Sequence, residues 1–172
     1  MNTCEFSPCR RYRYTLEHTW DELMPRRRIM WIGLNPSTAD EQQLDPTLRR
    51  IKSFSAALGF NAFVMTNLFA FRATDPRDMM DAQDPVGIDC DWHLKQTAHR
   101  CEAIVACWGA HGSHLARDRA VLALLASNLS PALLCLGTNR DGSPRHPLYV
   151  PGATVPTTCE PRWVIDKPPR LP

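Results

Sequence analysis

The chain has 172 residues, of which 44% are hydrophobic and 22% charged. That length can bury a core of its own as one domain, and that balance excludes an intrinsically disordered chain. A formal net charge of +2 is too small to demand a polyanionic partner, so any nucleic-acid contact must come from how the charges are placed.

The first segment, "RYRYTLEHTW", alternates aromatic and polar residues and reads as a hairpin or an edge strand. Basic groups cluster around it. Arg10, Arg11 and Arg13 precede or open it, Arg26 to Arg28 follow it, and Arg49, Arg50 and Lys52 share a later helix. Four unbroken apolar runs come next: "RIMWIG", "NAFVMTN", "EAIVACWG" and "PALLCLG". Runs of this kind suit strands covered on both faces of a parallel sheet.

Helical patterns alternate with them. "DPTLRRIKSFSAALGF" begins with Asp45 as N-cap and Pro46 at the first helical position, and Gly59 is its stop signal. Leu48, Ile51, Phe54 and Leu58 recur at helical spacing. "DCDWHLKQTAHR" is a second helix, and "HLARDRAVLALLASN" a third with Leu115, Val121, Leu122 and Leu125 turned inward. The alternation predicts a single α/β domain over residues 1–172, a three-layer α/β/α sandwich with a central, mostly parallel four-stranded sheet. The tail from Pro151, rich in proline, is expected as an extended cover or a loose end.

In open α/β sheets, ligands gather beyond the carboxyl ends of the strands. Each apolar run here empties into a polar loop: "GLNPSTAD", "TNLFAFRATDP", "WGAHGSH" and "GTNRDGSPRHPLY". Seven cysteines are present without a C-x-x-C pair, and Cys101, Cys107 and Cys135 lie in or beside apolar runs as small hydrophobes. No bound metal and no cofactor are therefore expected. The absence of a signal peptide and of an apolar run of membrane length gives the expectation of a cytoplasmic protein with reduced thiols and no membrane partner. A monomer is expected.

The order of these loop motifs resembles that of the uracil-DNA glycosylase superfamily. Gly33-Leu34-Asn35-Pro36 is similar to its first strand-end loop, Asn67 to the asparagine that reads the base, Trp108-Gly109 to a later strand end, and His146-Pro147 to the last loop. More closely, from about Arg28 to Pro151, the chain resembles a bacterial and phage family of unknown function marked by the "GLNPSTAD" loop. Two departures stand out: asparagine at position 35 where the most active uracil enzymes carry aspartate, and Leu148 after His146-Pro147 where serine often follows. Some relatives carry a four-cysteine iron–sulfur cluster, but the cysteines here lack that spacing.

The resemblance implies a DNA glycosylase that flips a nucleotide out of the duplex and excises a pyrimidine. It gives His146 the task of donating to the departing base and Asn35 that of orienting a water. Asp40 is either part of the water site or a turn cap. Gly33, Leu34, Pro36 and Ser37 would shape the pocket, Asn67 would pair with the base edge, and Phe69 (or Phe71) would either stack beneath the base or belong to the core. Arg72, Arg140 and Arg145 would hold phosphates, with Leu148 or Tyr149 filling the gap left by the flipped base. The base is uracil or, since "PSTAD" has small side chains, a bulky modified pyrimidine such as glucosylated hydroxymethylcytosine, with roles in repair or in phage defence respectively. The alternatives are a non-catalytic nucleic-acid-binding module and an α/β enzyme acting on nucleosides or nucleotides. Phosphate-loop enzymes are disfavoured, because no Gly-Lys-Ser/Thr loop follows any strand.

Overall fold

The computed structural model describes residues 2–37, 43–126 and 131–159. Strands β1 (Asn2–Phe6) and β2 (Arg13–Thr19) are followed by β3 (Arg28–Gly33), helix α1 (Pro46–Ala57), β4 (Ala62–Asn67) and the short α2 (Pro76–Met80). Then come α3 (Cys90–Arg100), β5 (Ala103–Ala106), α4 (Arg117–Ala126), β6 (Leu133–Cys135) and β7 (Thr157–Thr158). One mixed sheet of seven strands holds them in the order β1-β2-β4-β3-β5-β6-β7. Pairing is parallel between β4 and β3, β3 and β5, and β5 and β6, and antiparallel at β1–β2, β2–β4 and β6–β7.

The four apolar runs are the four parallel strands, and the expectation of a four-stranded sheet fell three strands short. β2 is no edge strand. It pairs with β4 on one side and, as a hairpin, with β1 on the other, and its residues Arg13 to Leu16 are all buried. β7 comes from the proline-rich tail and pairs with β6 through Thr157 and Thr158.

Alternation along β3 sends its side chains to opposite faces. Ile29 and Trp31 join Leu48, Ile51 and Phe54 of α1 in one apolar cluster. Met30 and Ile32 join Leu94 and Ala98 of α3 and Val121 and Leu125 of α4 in another. Helices therefore cover both faces. α1 forms as its sequence directs: the Leu48 N–H donates to Oδ1 of Asp45 at 2.8 Å, Pro46 occupies the first turn, and Gly59 takes a left-handed φ of 79° just past the end.

The third helix departs from expectation at its start. Leu115 and Ala116 both have φ of 53°, which interrupts the helix, and Leu115 is 66% exposed. The buried residue there is Arg117, whose Nε donates to the Leu68 carbonyl at 2.7 Å while Nη2 pairs with Asp91. A hydrogen-bonded guanidinium thus takes the inward position that hydrophobic spacing assigned to leucine. The cysteines at 101, 107 and 135 are buried, as their apolar context implies, and burial pushes the Cys101 thiol up to about 12.

Trp31 is fully buried, and its indole N–H donates to Oγ of Ser55 at 3.0 Å, whose hydroxyl donates on to the Ile51 carbonyl. Replacing Ser55 by alanine removes the acceptor and strands a buried donor. Ser55→Ala is expected to cost about 1–3 kcal/mol in urea unfolding, with an unchanged midpoint counting against this account.

Candidate functional site

A cleft of about 590 Å³ opens at the carboxyl edge of the parallel strands, on the face covered by α1. The loop after β3 contributes Gly33, Leu34, Asn35 and Ser37, and β4 contributes Met65 and Asn67. Trp108 to His111 follow β5, and Asn139, His146 and Tyr149 come from the last loop. The start of α1 adds Asp45, Thr47 and Leu48, while Arg13 enters from β2 and Pro76 from α2.

The floor is set by strand register. Gly33 and Asn67 are paired residues of β3 and β4. A Cβ built on Gly33 would lie 2.8 Å from Oδ1 of Asn67 and still closer to the Met65 methyl, so only glycine leaves this space open. Asn67 is 4% exposed, and its Oδ1 has no hydrogen-bond partner among the described residues. A buried carboxamide oxygen without a donor is costly, and such a group is rare in a folded protein.

Beyond their ends the two strands keep running side by side. Backbone N–H groups of Leu68, Phe69 and Ala73 donate to the carbonyls of Gly33, Leu34 and Pro36, each at 2.9 Å. Asn35 is locked by the same pairing: its Nδ2 donates to the Ala73 carbonyl at 2.8 Å and to that of Pro36 at 3.2 Å. With its donor tied to backbone, Oδ1 is the atom Asn35 has left to accept with.

His146 shows how a His-Pro turn can hold a chemical group. It caps the 3-10 turn Pro147–Tyr149, where the Leu148 N–H donates to its Nδ1 at 3.4 Å. That leaves the proton of the neutral ring on Nε2. Burial pushes the imidazole below the usual histidine range, against the opposing field of Asp45. Nε2–H is thus a neutral donor at pH 7. The last loop is pinned from two sides. The Gly109 N–H donates to the Pro144 carbonyl at 3.0 Å, and Arg50 of α1 donates to the Val150 carbonyl at 2.6 Å.

The structure brings together Gly33, Leu34, Asn35, Ser37, Asn67, His146 and Tyr149. Several expected members stand apart. Phe69 is fully buried in the core on the α3 and α4 face, 5.6 Å ring to ring from His114, so it does not stack beneath a ligand. Phe71 also packs there, edge-on to Tyr12. Pro36 is buried behind the cleft, where its carbonyl holds the neighbouring loop. Arg72 turns toward the amino terminus, donating to the Arg10 carbonyl and lying over the Phe6 ring, which removes it from the rim. Arg140 and Arg145 are exposed on the last loop, with Nε of Arg145 held by the Thr138 carbonyl. Leu148 is exposed beside His146. Asp40 lies outside the described residues.

Sequence reading missed Arg13, His111, Asn139 and the cleft-facing role of Asp45. Arg13 was visible only as one of a basic group. It reaches the cleft because β2 runs antiparallel to β4, which sets the start of one beside the end of the other. Among the described residues no group of three or more His, Cys, Asp or Glu side chains is arranged to hold a metal, and no helix is long and apolar enough to cross a membrane.

The model of a family described as a protein of unknown function, DUF1643, matches residues 13–148. The chain belongs to the DUF1643 family. No curated protein and no solved structure matches it. The family match begins at Arg13 and stops one residue short of Tyr149, so it takes in every other described residue of the cleft.

Gly33→Ala tests the floor. The added methyl must displace Asn67 or Met65, and a destabilisation of about 1–3 kcal/mol is expected, together with altered side-chain amide signals of Asn67 by NMR. Wild-type stability and an unmoved Asn67 would refute the packing described.

Proposed function

We propose that this protein is a DNA glycosylase, hydrolysing the bond between a pyrimidine base and its deoxyribose in a nucleotide flipped out of the stack. The observation that carries this reading is the buried, unpartnered Oδ1 of Asn67. A pyrimidine edge offers an N–H to such an oxygen and a carbonyl or ring nitrogen to the amide beside it. His146 supports it from the other side, with a neutral Nε2–H suited to the negative charge that grows on the departing base. Asn35 offers an acceptor that can orient water, though an amide is no strong base.

The balance of the step is simple. The C1′–N bond breaks with its electron pair on the base, the oxygen of water joins C1′, and the proton that water loses is matched by one that the base gains. We read the fold as the three-layer α/β/α type of the uracil-DNA glycosylase superfamily. Tyr149, 81% exposed at the cleft, and Leu148 beside it are the side chains available to enter the stack. Arg140 and Arg145 are the available phosphate contacts.

A cleft of about 590 Å³ lies within the range of about 300–1,000 Å³ typical of small-molecule sites. That roominess favours a bulky modified pyrimidine, such as the glucosylated hydroxymethylcytosine of phage DNA, over uracil, and hence phage defence over repair. The working protein is taken as a cytoplasmic monomer.

Incubation with DNAs carrying uracil, hydroxymethylcytosine or its glucosylated form, followed by alkali, is expected to cleave at one of them. His146→Ala should slow base release by on the order of a hundredfold while DNA binding persists. Cleavage of free nucleosides alone would point to a nucleoside hydrolase, and tight DNA binding with no abasic product to a binding module. Replacing Arg140 and Arg145 together should reduce the salt dependence of DNA affinity by about one unit of slope per lost phosphate contact. An unchanged slope would place the DNA elsewhere.

A further inference from the structure

Asp45 satisfies the requirements of an N-cap so well that a cap is all the sequence assigns it. Its position in the structure goes further. It is the only carboxylate among the described residues lining the cleft, whose other charged or titratable side chains are Arg13, His111, His146 and Tyr149. The cap uses Oδ1 alone. α1 also packs directly on the turn that follows His146, where Nη2 of Arg50 donates to the Val150 carbonyl and Nε to that of Pro147, 3.5 Å away. The Arg50 guanidinium is steadied over the Phe54 ring, 4.9 Å from its centroid. One helix therefore carries the carboxylate at its first turn and, a turn later, the clamp on the loop bearing the imidazole. Their relative placement is fixed by a single rigid element.

We propose that Asp45 is a positioning and charge-supplying residue of this site, whose carboxylate pairs electrostatically with His146 and presents negative charge to the sugar of the bound nucleotide. The catalytic part rests on the glycosylase reading; the pairing does not. A sugar losing its base acquires oxocarbenium character, and a fixed carboxylate lowers the energy of that cation. Asn35 is neutral and cannot supply this charge. Asp45 does so without taking a proton, so the bond changes of hydrolysis are unaltered. The same charge acts on His146 in the resting protein, opposing the effect of its burial.

Two substitutions separate the charge from the cap. Asparagine and serine cap helices about as well as aspartate, so Asp45→Asn and Asp45→Ser should fold with little loss of stability. Both remove the carboxylate that favours imidazolium, so the His146 ring should titrate at lower pH in both variants when followed by NMR. The sign follows from the charges: a lost anion makes the protonated ring less favourable. An unmoved titration in both would overturn the pairing, whether or not any DNA substrate has been found.

On a substrate that the wild type cleaves, kcat should fall about tenfold to a hundredfold in both variants with KM little changed. Wild-type kcat in both would overturn the catalytic role and leave Asp45 as a cap. Loss of activity in Asp45→Ala alone, with Asp45→Asn and Asp45→Ser active, would do the same. Should the wild type release no base from any DNA, the glycosylase reading fails, and the titration still decides the pair.

Discussion

The register of β3 against β4 is the constraint on which the rest of the site depends. Parallel pairing runs unbroken from Arg28 and Ala62 to Gly33 and Asn67, and only a residue without a side chain can sit at the last position of β3. A slip of one residue would turn Asn67 to the opposite face and bury its amide among the apolar side chains over α3 and α4. The register also carries the two chains onward in hydrogen-bonded contact, which delivers Asn35 to the same cleft with its amide already oriented. Two polar side chains of the cleft are thus placed by backbone geometry.

The last loop follows a different logic. His146 is held as a turn cap, from below by Arg50 and from the side by the Gly109–Pro144 bond. The structural and chemical readings of a His-Pro pair are compatible, because the imidazole has two nitrogens. One satisfies the turn, and the other is free to face the cleft in a fixed tautomer. Asp45 divides its work in the same manner between helix and cleft.

Much of this was legible in the sequence, for identifiable reasons. The four parallel strands announced themselves as unbroken apolar runs, and α1 through its cap, its Pro46 and its spacing. Asn35, Asn67 and His146 were singled out through the resemblance of their loop motifs, and they line one cleft. The misses share one cause, which is that they depend on what lies beside a segment. Phe69 follows a strand end as a ligand-stacking ring would, yet the chain is still covered on both sides there. Arg72 has a loop position and turns toward β1, a strand the apolar pattern never marked. Arg117 displaced Leu115 from the inward position because the Leu68 carbonyl needed a donor. Nothing in local spacing reports such a need.

The inner position of β2 bears on what the smallest working piece of this chain can be. The recognisable motifs begin at Arg28, and a chain shortened to that point would keep every one of them. It would also bare the length of β4 from Ala62 to Met65, whose outer hydrogen-bonding groups β2 now occupies. An uncovered strand next to the centre of an apolar sheet invites pairing with other copies. The same cut would take Arg13 out of the cleft. A single strand thus serves as both the seal of the sheet and a wall of the cleft.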